Sequence, residues 1–260
     1  MRVVFFGSSE YSQPILESLR QNFDLILVVT RPDKPIGRKQ IMTPSPVKVW
    51  AEKNRIPVAE KLNDVKCDLA IVADFGRIIP PEEFNLPKLG TFNIHFSKLP
   101  DLRGASPVQQ TLLRGDTTAW ITIIRIEKTL DTGPILDQRS FPIYPNDTAQ
   151  TLYTRLFAEA AKYLPTLDFT KKLTTQSGTP TFCGMLTKQN GFVEWEEIKN
   201  EKYKIKNLNR YRAMTPWPGL WSLHPSGKRV KILKCHLGNN QLVLDEIQFE
   251  GKNPQTYRNT

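Results

Sequence analysis

A chain of 260 residues, 39% hydrophobic and 24% charged, can bury the core of one large or two modest domains. No apolar run approaches the ~18 residues of a membrane span, and three scattered cysteines (Cys67, Cys183, Cys235) form no Cys-x-x-Cys pair, so a cytoplasmic protein with reduced thiols and no metal is expected. The net charge of +10 is uneven: residues 171–260 hold 15 Lys and Arg against 7 Asp and Glu, which suits either a polyanionic partner, nucleic acid first, or a solvated lysine face.

The chain opens directly into an apolar strand, Arg2–Phe6, so no signal peptide is expected. Tyr11–Gln21 sets Ile15, Leu16 and Leu19 at helical spacing, and Leu25–Val29 is a second buried strand. Strand, helix and strand in that order predict a parallel sheet with helices on its faces. The turn after the first strand reads Gly7-Ser-Ser-Glu-Tyr-Ser rather than Gly-x-Gly-x-x-Gly, so NAD or FAD is not expected. Arg31–Pro46 carries four prolines around Gly37 and reads as a stiffened loop, either functional or a floppy insertion. A helix over Val47–Asn54 and a strand over Leu69–Ala73 follow, with a turn at Phe75-Gly76 and a strand at Thr91–Ile94.

Ser106 and Pro107 read as the cap and first residue of the next helix. Ile121–Ile126 is a strand, Leu130–Gly133 a turn, and Ile135–Ile143 is extended. Asp147 is placed to cap a helix that Pro165 should end. Thr170–Gln189 is polar and aperiodic and reads as a linker. Beyond Phe192 come a basic helix, Lys204–Arg212, and short strands near Leu220–His224, Val230–Lys234 and Leu242–Phe249, with a hairpin turn at Gly238-Asn239-Asn240. The expected organisation is a domain over residues 1–169, a linker over 170–190 and a small basic β-rich domain over 191–260.

The chemistry concentrates in FNIHFSKLPDLRG, Phe92–Gly104, and in LDTG, Leu130–Gly133. Asn93 and His95 are two residues apart, hence on one face of a strand. With Asp131 turned toward them, an amide, an imidazole and a carboxylate could hold a tetrahedral oxyanion and move a proton beside it. Read singly, a lone histidine is more often structural, and an aspartate in an Asp-Thr-Gly turn can simply satisfy local N–H groups.

These two stretches resemble the 10-formyltetrahydrofolate-dependent formyltransferases, which carry Asn-x-His, then Ser-Leu-Leu-Pro-x-x-Arg-Gly, then Leu-Asp-x-Gly. Three further segments, Arg31–Ala51, Arg103–Asp116 and Tyr211–Ser222, are similar to those members that act on an aminoacyl-tRNA. The likeness runs from Met1 to about Lys234. Phe96 and Lys98 stand where the family usually has Gly and Leu, and beyond Lys234 this chain is shorter than the family's usual C-terminal domain.

The resemblance implies an α/β fold: a Rossmann-like parallel-sheet formyltransferase domain, then a small, incomplete OB-like β-barrel. It implies transfer of a formyl group from 10-formyltetrahydrofolate to the α-amino group of methionine on initiator tRNA, supporting translation initiation. Asn93, His95 and Asp131 would carry the reaction. Ser97, Lys98, Leu99 and Pro100 would border the folate, with Phe75, Gly76 and Ile78 on the pterin side and Lys98 pointing to solvent. Arg103 would fix the loop ahead of the next helix, or form a simple salt bridge. Arg38 and Lys39 at the tip of the first loop, with Lys204, Lys206, Arg210, Arg212 and Lys231, would meet tRNA through contacts that weaken as salt rises. Trp217 is expected to pack in the core, and Trp221 is a candidate for base stacking. A monomer without metal, NAD or membrane partner is expected. Two alternatives remain: an amino-sugar N-formyltransferase using the same three residues, and a non-enzymatic tRNA-binding protein with a degenerate pocket.

Overall fold

The structure, a computed structural model, describes residues 1–37 and 39–257. Two compact units emerge. The first gathers Met1–Arg103, Trp120–Ser140 and Thr154–Thr181; the second gathers Gly104–Ala119, Phe141–Tyr153 and Phe182–Thr260.

The first unit is built on a seven-stranded sheet, ordered Ile135–Pro142, Thr118–Arg125, Thr91–His95, Leu69–Val72, Arg2–Phe6, Asp24–Val29 and Val58–Ala59. Leu69–Val72 is buried at every position, as a central parallel strand covered on both faces must be. Thr91–His95 runs parallel to it and antiparallel to Thr118–Arg125, pairing Val72 with Asn93 and His95 with Thr122. Val4, Phe6, Val29, Ala70, Val72 and Phe75 form the core on one side. Helix Gln13–Asn22 closes its own apolar stripe with Ile15, Leu16 and Leu19.

Several local expectations are corrected. The loop expected over Arg31–Pro46 contains a two-stranded ribbon, Lys34–Ile36 with Ile41–Thr43. Its Ile36, Ile41 and Thr43 are β-formers, and a ribbon with free edges tolerates Pro35. The following helix, Pro46–Lys53, is capped by Ser45, whose Oγ accepts from the Lys48 N–H at 2.9 Å. Ser106 makes no side-chain cap. Helix Ala149–Tyr163 is capped by Thr148 rather than Asp147. Thr148 Oγ1 accepts from the Thr151 N–H at 3.3 Å and Thr151 Oγ1 from the Thr148 N–H at 2.9 Å. Asp147 accepts instead from the Tyr144 N–H and the Thr151 hydroxyl. In the stretch read as a linker, Thr174 pairs antiparallel with Ile135.

The second unit carries a four-stranded antiparallel sheet, Leu220–Leu223, Arg229–Gly238, Gln241–Phe249 and Gln255–Thr256. Its hairpin turn has Asn239 and Asn240 at φ +47° and +62°, the left-handed pair that a two-residue turn needs between right-twisted strands. Val193, Trp195, Leu220, Val230, Ile232 and Ile247 form its core. Helix Lys204–Met214 packs against helix Pro107–Arg114, which buries Val108 and Leu112.

Candidate active site

Strand alternation brings Asn93 and His95 to one face of Thr91–His95. The chain then loops and returns at Leu102, whose backbone is left-handed at φ +58° although it carries a side chain. Its carbonyl meets His95 Nε2 at 2.9 Å. A carbonyl only accepts, so Nε2 carries a hydrogen. The other ring nitrogen, Nδ1, faces Asp131 Oδ2 at 3.6 Å. Asn93 Nδ2 donates to Asp131 Oδ1 at 3.4 Å, a long bond. His95 and Asp131 are 5% and 7% exposed, so charge at either is little screened. The three side chains expected to act together therefore converge. Nε2–H is held by Leu102, and Nδ1 is the ring nitrogen turned to the carboxylate.

Of the residues that hold this cluster, Arg103 was expected to fix its loop, whereas Gln176 and Thr181 gave no signal in the sequence. Asp131 has φ +54°, and its turn is gripped by Gln176, whose Nε2 donates to the carbonyls of Asp131 and Gly133, each at 2.8 Å. Arg103 Nη2 donates to Gln176 Oε1 at 2.7 Å. Thr181 bonds the Pro100–Arg103 stretch through its N–H, carbonyl and hydroxyl, and reaches the Asp101 carboxylate. Residues 174–181, polar and aperiodic in sequence, thus line up behind the site.

Of the residues expected at the folate, Ser97 and Leu99 are buried. Ser97 Oγ donates to the Asp101 carbonyl at 2.6 Å, and the Ser97 carbonyl accepts from Thr122 Oγ1 at 2.5 Å. The Leu99 carbonyl accepts from Gln138 Nε2 at 3.1 Å, and that of Pro100 from the Thr181 N–H at 3.3 Å. Lys98 is exposed, with its ammonium 4.6 Å over the Trp120 ring. Phe96 stacks on Phe157 with ring centroids 4.5 Å apart. Phe75 and Gly76 open on a cleft of about 500 Å³ that is also lined by Ser8, Arg31, Lys34 and Asp74. Crowding by the surrounding chain raises the Asp74 carboxyl, with Ser9 opposing, although its side chain is open to the cleft. Ile78 is 82% exposed and stands outside that lining. Arg77 lies over the Phe75 ring and forks onto buried Glu83 at 2.8 and 2.9 Å.

The basic residues expected at tRNA fall into two groups. Lys39 and Lys231 are exposed, on the first hairpin and the second sheet; Arg38 lies outside the described residues. Lys204 bonds Asn240, and Lys206 pairs with Glu197 at 3.2 Å. Arg210 donates to the Phe192 carbonyl, and Arg212 to those of Asp147 and Tyr144. Burial lowers the Arg212 pKa, with Asp147 opposing. These two arginines hold helix Lys204–Met214 to its neighbours. Trp217, expected in the core, is 54% exposed. It follows the end of helix Lys204–Met214, with Pro216 exposed and Pro218 buried on either side of it. Trp221 contacts the Phe192 ring, with centroids 4.7 Å apart, and the Arg229 guanidinium at 4.2 Å.

Among the described residues no group of metal-ligating side chains forms a site, and no helix is long and apolar enough to cross a membrane. Residues 1–167 match the family described as formyl transferase, and residues 185–242 match the formyl transferase C-terminal domain. The methionyl-tRNA formyltransferase of Geotalea uraniireducens is 35% identical over 97% of this chain and 91% of its own length. That of Thermus thermophilus is 36% identical over 90% of this chain and 79% of its own. Among solved structures, methionyl-tRNA formyltransferase from Clostridium thermocellum superposes with TM-score 0.67 at 17% identity, covering 96% of this chain and 98% of that one. A sugar 3N-formyl transferase, solved in the presence of dTDP and 5-N-formyl-THF, superposes with TM-score 0.65 at 23% identity, covering 92% and 87%. Identities this low speak for the fold alone. The matches over both halves of the chain, together with the amide, imidazole and carboxylate gathered at the end of one buried strand, place this protein in the formyl transferase family.

Proposed function

We propose that this protein transfers a formyl group from 10-formyltetrahydrofolate to the α-amino group of methionine on initiator tRNA, with Asn93, His95 and Asp131 as the reacting constellation. One observation carries the chemical part: His95 gives Nε2–H to Leu102 and presents only Nδ1 to Asp131.

An α-amino group has a pKa of about 7.7–8.0, so a neutral fraction exists near pH 7 without a strong base. Its lone pair attacks the formyl carbon, and the carbonyl oxygen becomes an oxyanion. The Asn93 amide and a protonated Nδ1 are the donors suited to it, one such donor being worth roughly 3–4 kcal/mol of barrier. The new ammonium gives a proton to Asp131, directly or through a water. The carbon–N10 bond then breaks, and the proton ends on N10 through the Asp131–His95 pair. Formyl and hydrogen have exchanged places, and both nitrogens are neutral again. The folate supplies the activated formyl group and its leaving nitrogen; the chain orients it and handles the proton.

The choice of acceptor rests on the relatives and on charge. The cleft beside the first hairpin carries Arg31, Lys34, Lys61 and Arg77 against Glu60 and Asp74, and the last third of the chain is basic, a positive balance suited to phosphates. The test is to incubate the protein with 10-formyltetrahydrofolate and either Met-tRNA or a panel of amino-sugar nucleotides. Formyl transfer to Met-tRNA alone is expected, with His95→Ala and Asp131→Ala each losing at least about a hundredfold in kcat. Transfer to an amino-sugar nucleotide would move the acceptor to that class, and wild-type rates in either variant would remove that residue from the reaction.

A further inference from the structure

Gln176 has no part in the chemistry above, yet its amide is fully engaged at the site. A side-chain amide offers two N–H donors and one oxygen with two lone pairs. Both donors of Gln176 are directed at the turn, to the carbonyls of Asp131 and Gly133 at 2.8 Å each. Both lone pairs face Arg103, from Nη2 at 2.7 Å and Nε at 3.3 Å. The guanidinium has only donors to give, so it fixes which end of the amide is oxygen and which is nitrogen.

The surroundings leave the amide little freedom. Two residues earlier, Thr174 is locked to Ile135 by reciprocal backbone bonds of 2.7 and 2.9 Å. On the far side of the turn, a Cβ on Gly133 would stand 1.7 Å from the Arg125 carbonyl oxygen, so the turn backbone lies pressed against that strand. Asp131 sits between these supports in a left-handed conformation, which aspartate tolerates better than most side chains. Arg103, at the other end of the brace, directly follows Leu102, whose carbonyl holds His95 Nε2. One Arg103–Gln176 contact therefore joins the backbone that positions Asp131 to the backbone that positions His95.

We propose that Gln176, anchored by Arg103, is a positioning residue that sets the approach of the Asp131 carboxylate to His95 Nδ1. This rests on the reading of Asp131 and His95 as the proton-handling pair. Misplacement of reacting groups by about 1 Å is enough for a hundredfold loss. Gln176→Met keeps the volume and removes every hydrogen bond. Gln176→Glu keeps the bond to Arg103 and replaces the two donors with an acceptor facing two carbonyls.

The experiment measures kcat, both KM values and the pH profile of kcat/KM for formyl transfer to Met-tRNA, in wild type, Gln176→Met, Gln176→Glu and Asp131→Ala. Both Gln176 variants are expected to lose about 10–100-fold in kcat, keep KM for donor and tRNA within about twofold, and move the acid limb of the profile. A smaller folded fraction would scale kcat without moving that limb. If Gln176→Met fails to fold, Gln176→Glu decides, since its anchor to Arg103 remains. Wild-type kcat and pH profile in Gln176→Glu, alongside an inactive Asp131→Ala, would overturn the positioning role alone. An active Asp131→Ala would overturn the catalytic reading and this proposal with it.

Discussion

In the proposed reaction Asp131 acts through two separable properties, its charge and its backbone. The carboxylate faces Nδ1 of His95 at 3.6 Å, while the backbone stands at φ +54°. Asparagine tolerates that region nearly as well as aspartate and offers no negative charge. Asp131→Asn should therefore stay within about 0.5 kcal/mol of wild-type stability while kcat falls by roughly 10²–10⁴-fold. Asp131→Ala should lose activity similarly and also about 1–2 kcal/mol of stability, because alanine bears the left-handed strain without a compensating polar group. Urea denaturation beside single-turnover formyl transfer separates the two; an Asp131→Asn protein of wild-type rate would show that charge is not needed. At this scale Asn93 and His95 were legible because strand alternation puts residues two apart on one face. Leu102 was not, since nothing about a leucine announces a left-handed backbone that presents its carbonyl to an imidazole. Gln176 was not, since its partners lie 43 and more residues away and its neighbours are polar without period.

Among the elements, the segment from Phe75 to Phe84 shows how a loop expected beside the pterin is held. Glu83 is 3% exposed and accepts from the Leu62 N–H at 3.0 Å and from both arms of Arg77. Burial alone would raise its pKa, but Arg77 and the Leu62 N–H outweigh burial, and the carboxyl ends below its usual value. The folded state thus binds this proton less readily than the unfolded chain. The resulting stabilisation is complete above the ordinary value of 4.5 and fades as pH falls through the lower folded value. Glu83→Gln should lose about 1.5–3 kcal/mol near neutral pH, with the gap to wild type closing as pH falls from 4.5 through the lower folded value. Chemical denaturation across that range checks it; a pH-independent gap would mean that packing, not ionisation, carries the effect. Elements with a strong apolar period, such as Arg2–Phe6, Leu69–Val72 and helix Gln13–Asn22, were readable because burial on one or both faces imposes the pattern. The ribbon at Lys34–Thr43 was hidden by its prolines and by lacking a buried face: Ile36, Ile41 and Met42 are all exposed. The Thr148 cap was missed because Asp147 is as good a candidate on residue type alone.

For the molecule as a whole, the chain does not finish one unit before starting the next. Residues 104–119 and 141–153, well inside the first two thirds, belong to the same compact unit as Phe182–Thr260. The polar stretch at 170–189 marks solvent exposure, and composition of that kind does not say which later segment an earlier helix groups with. Helix Pro107–Arg114 buries Val108 and Leu112 and packs against helix Lys204–Met214. At Gly115, just past its end, a Cβ would stand 2.8 Å from Asn209 Nδ2. Arg212 meanwhile donates to the carbonyls of Asp147 and Tyr144 at 2.7 and 2.9 Å. A chain ended after Thr181 would lose this helix–helix packing and would leave the Asp147 and Tyr144 carbonyls without these charged donors, at about 1.5–3 kcal/mol for each such hydrogen bond. Against a total stability of about 5–15 kcal/mol that loss is large. Residues 1–181 alone should therefore show a broadened, lowered thermal transition and rapid amide exchange over 107–114 and 149–153. The full chain should protect both stretches. Native-like protection there in the shortened chain would mean that these helices draw their stability from the first unit after all.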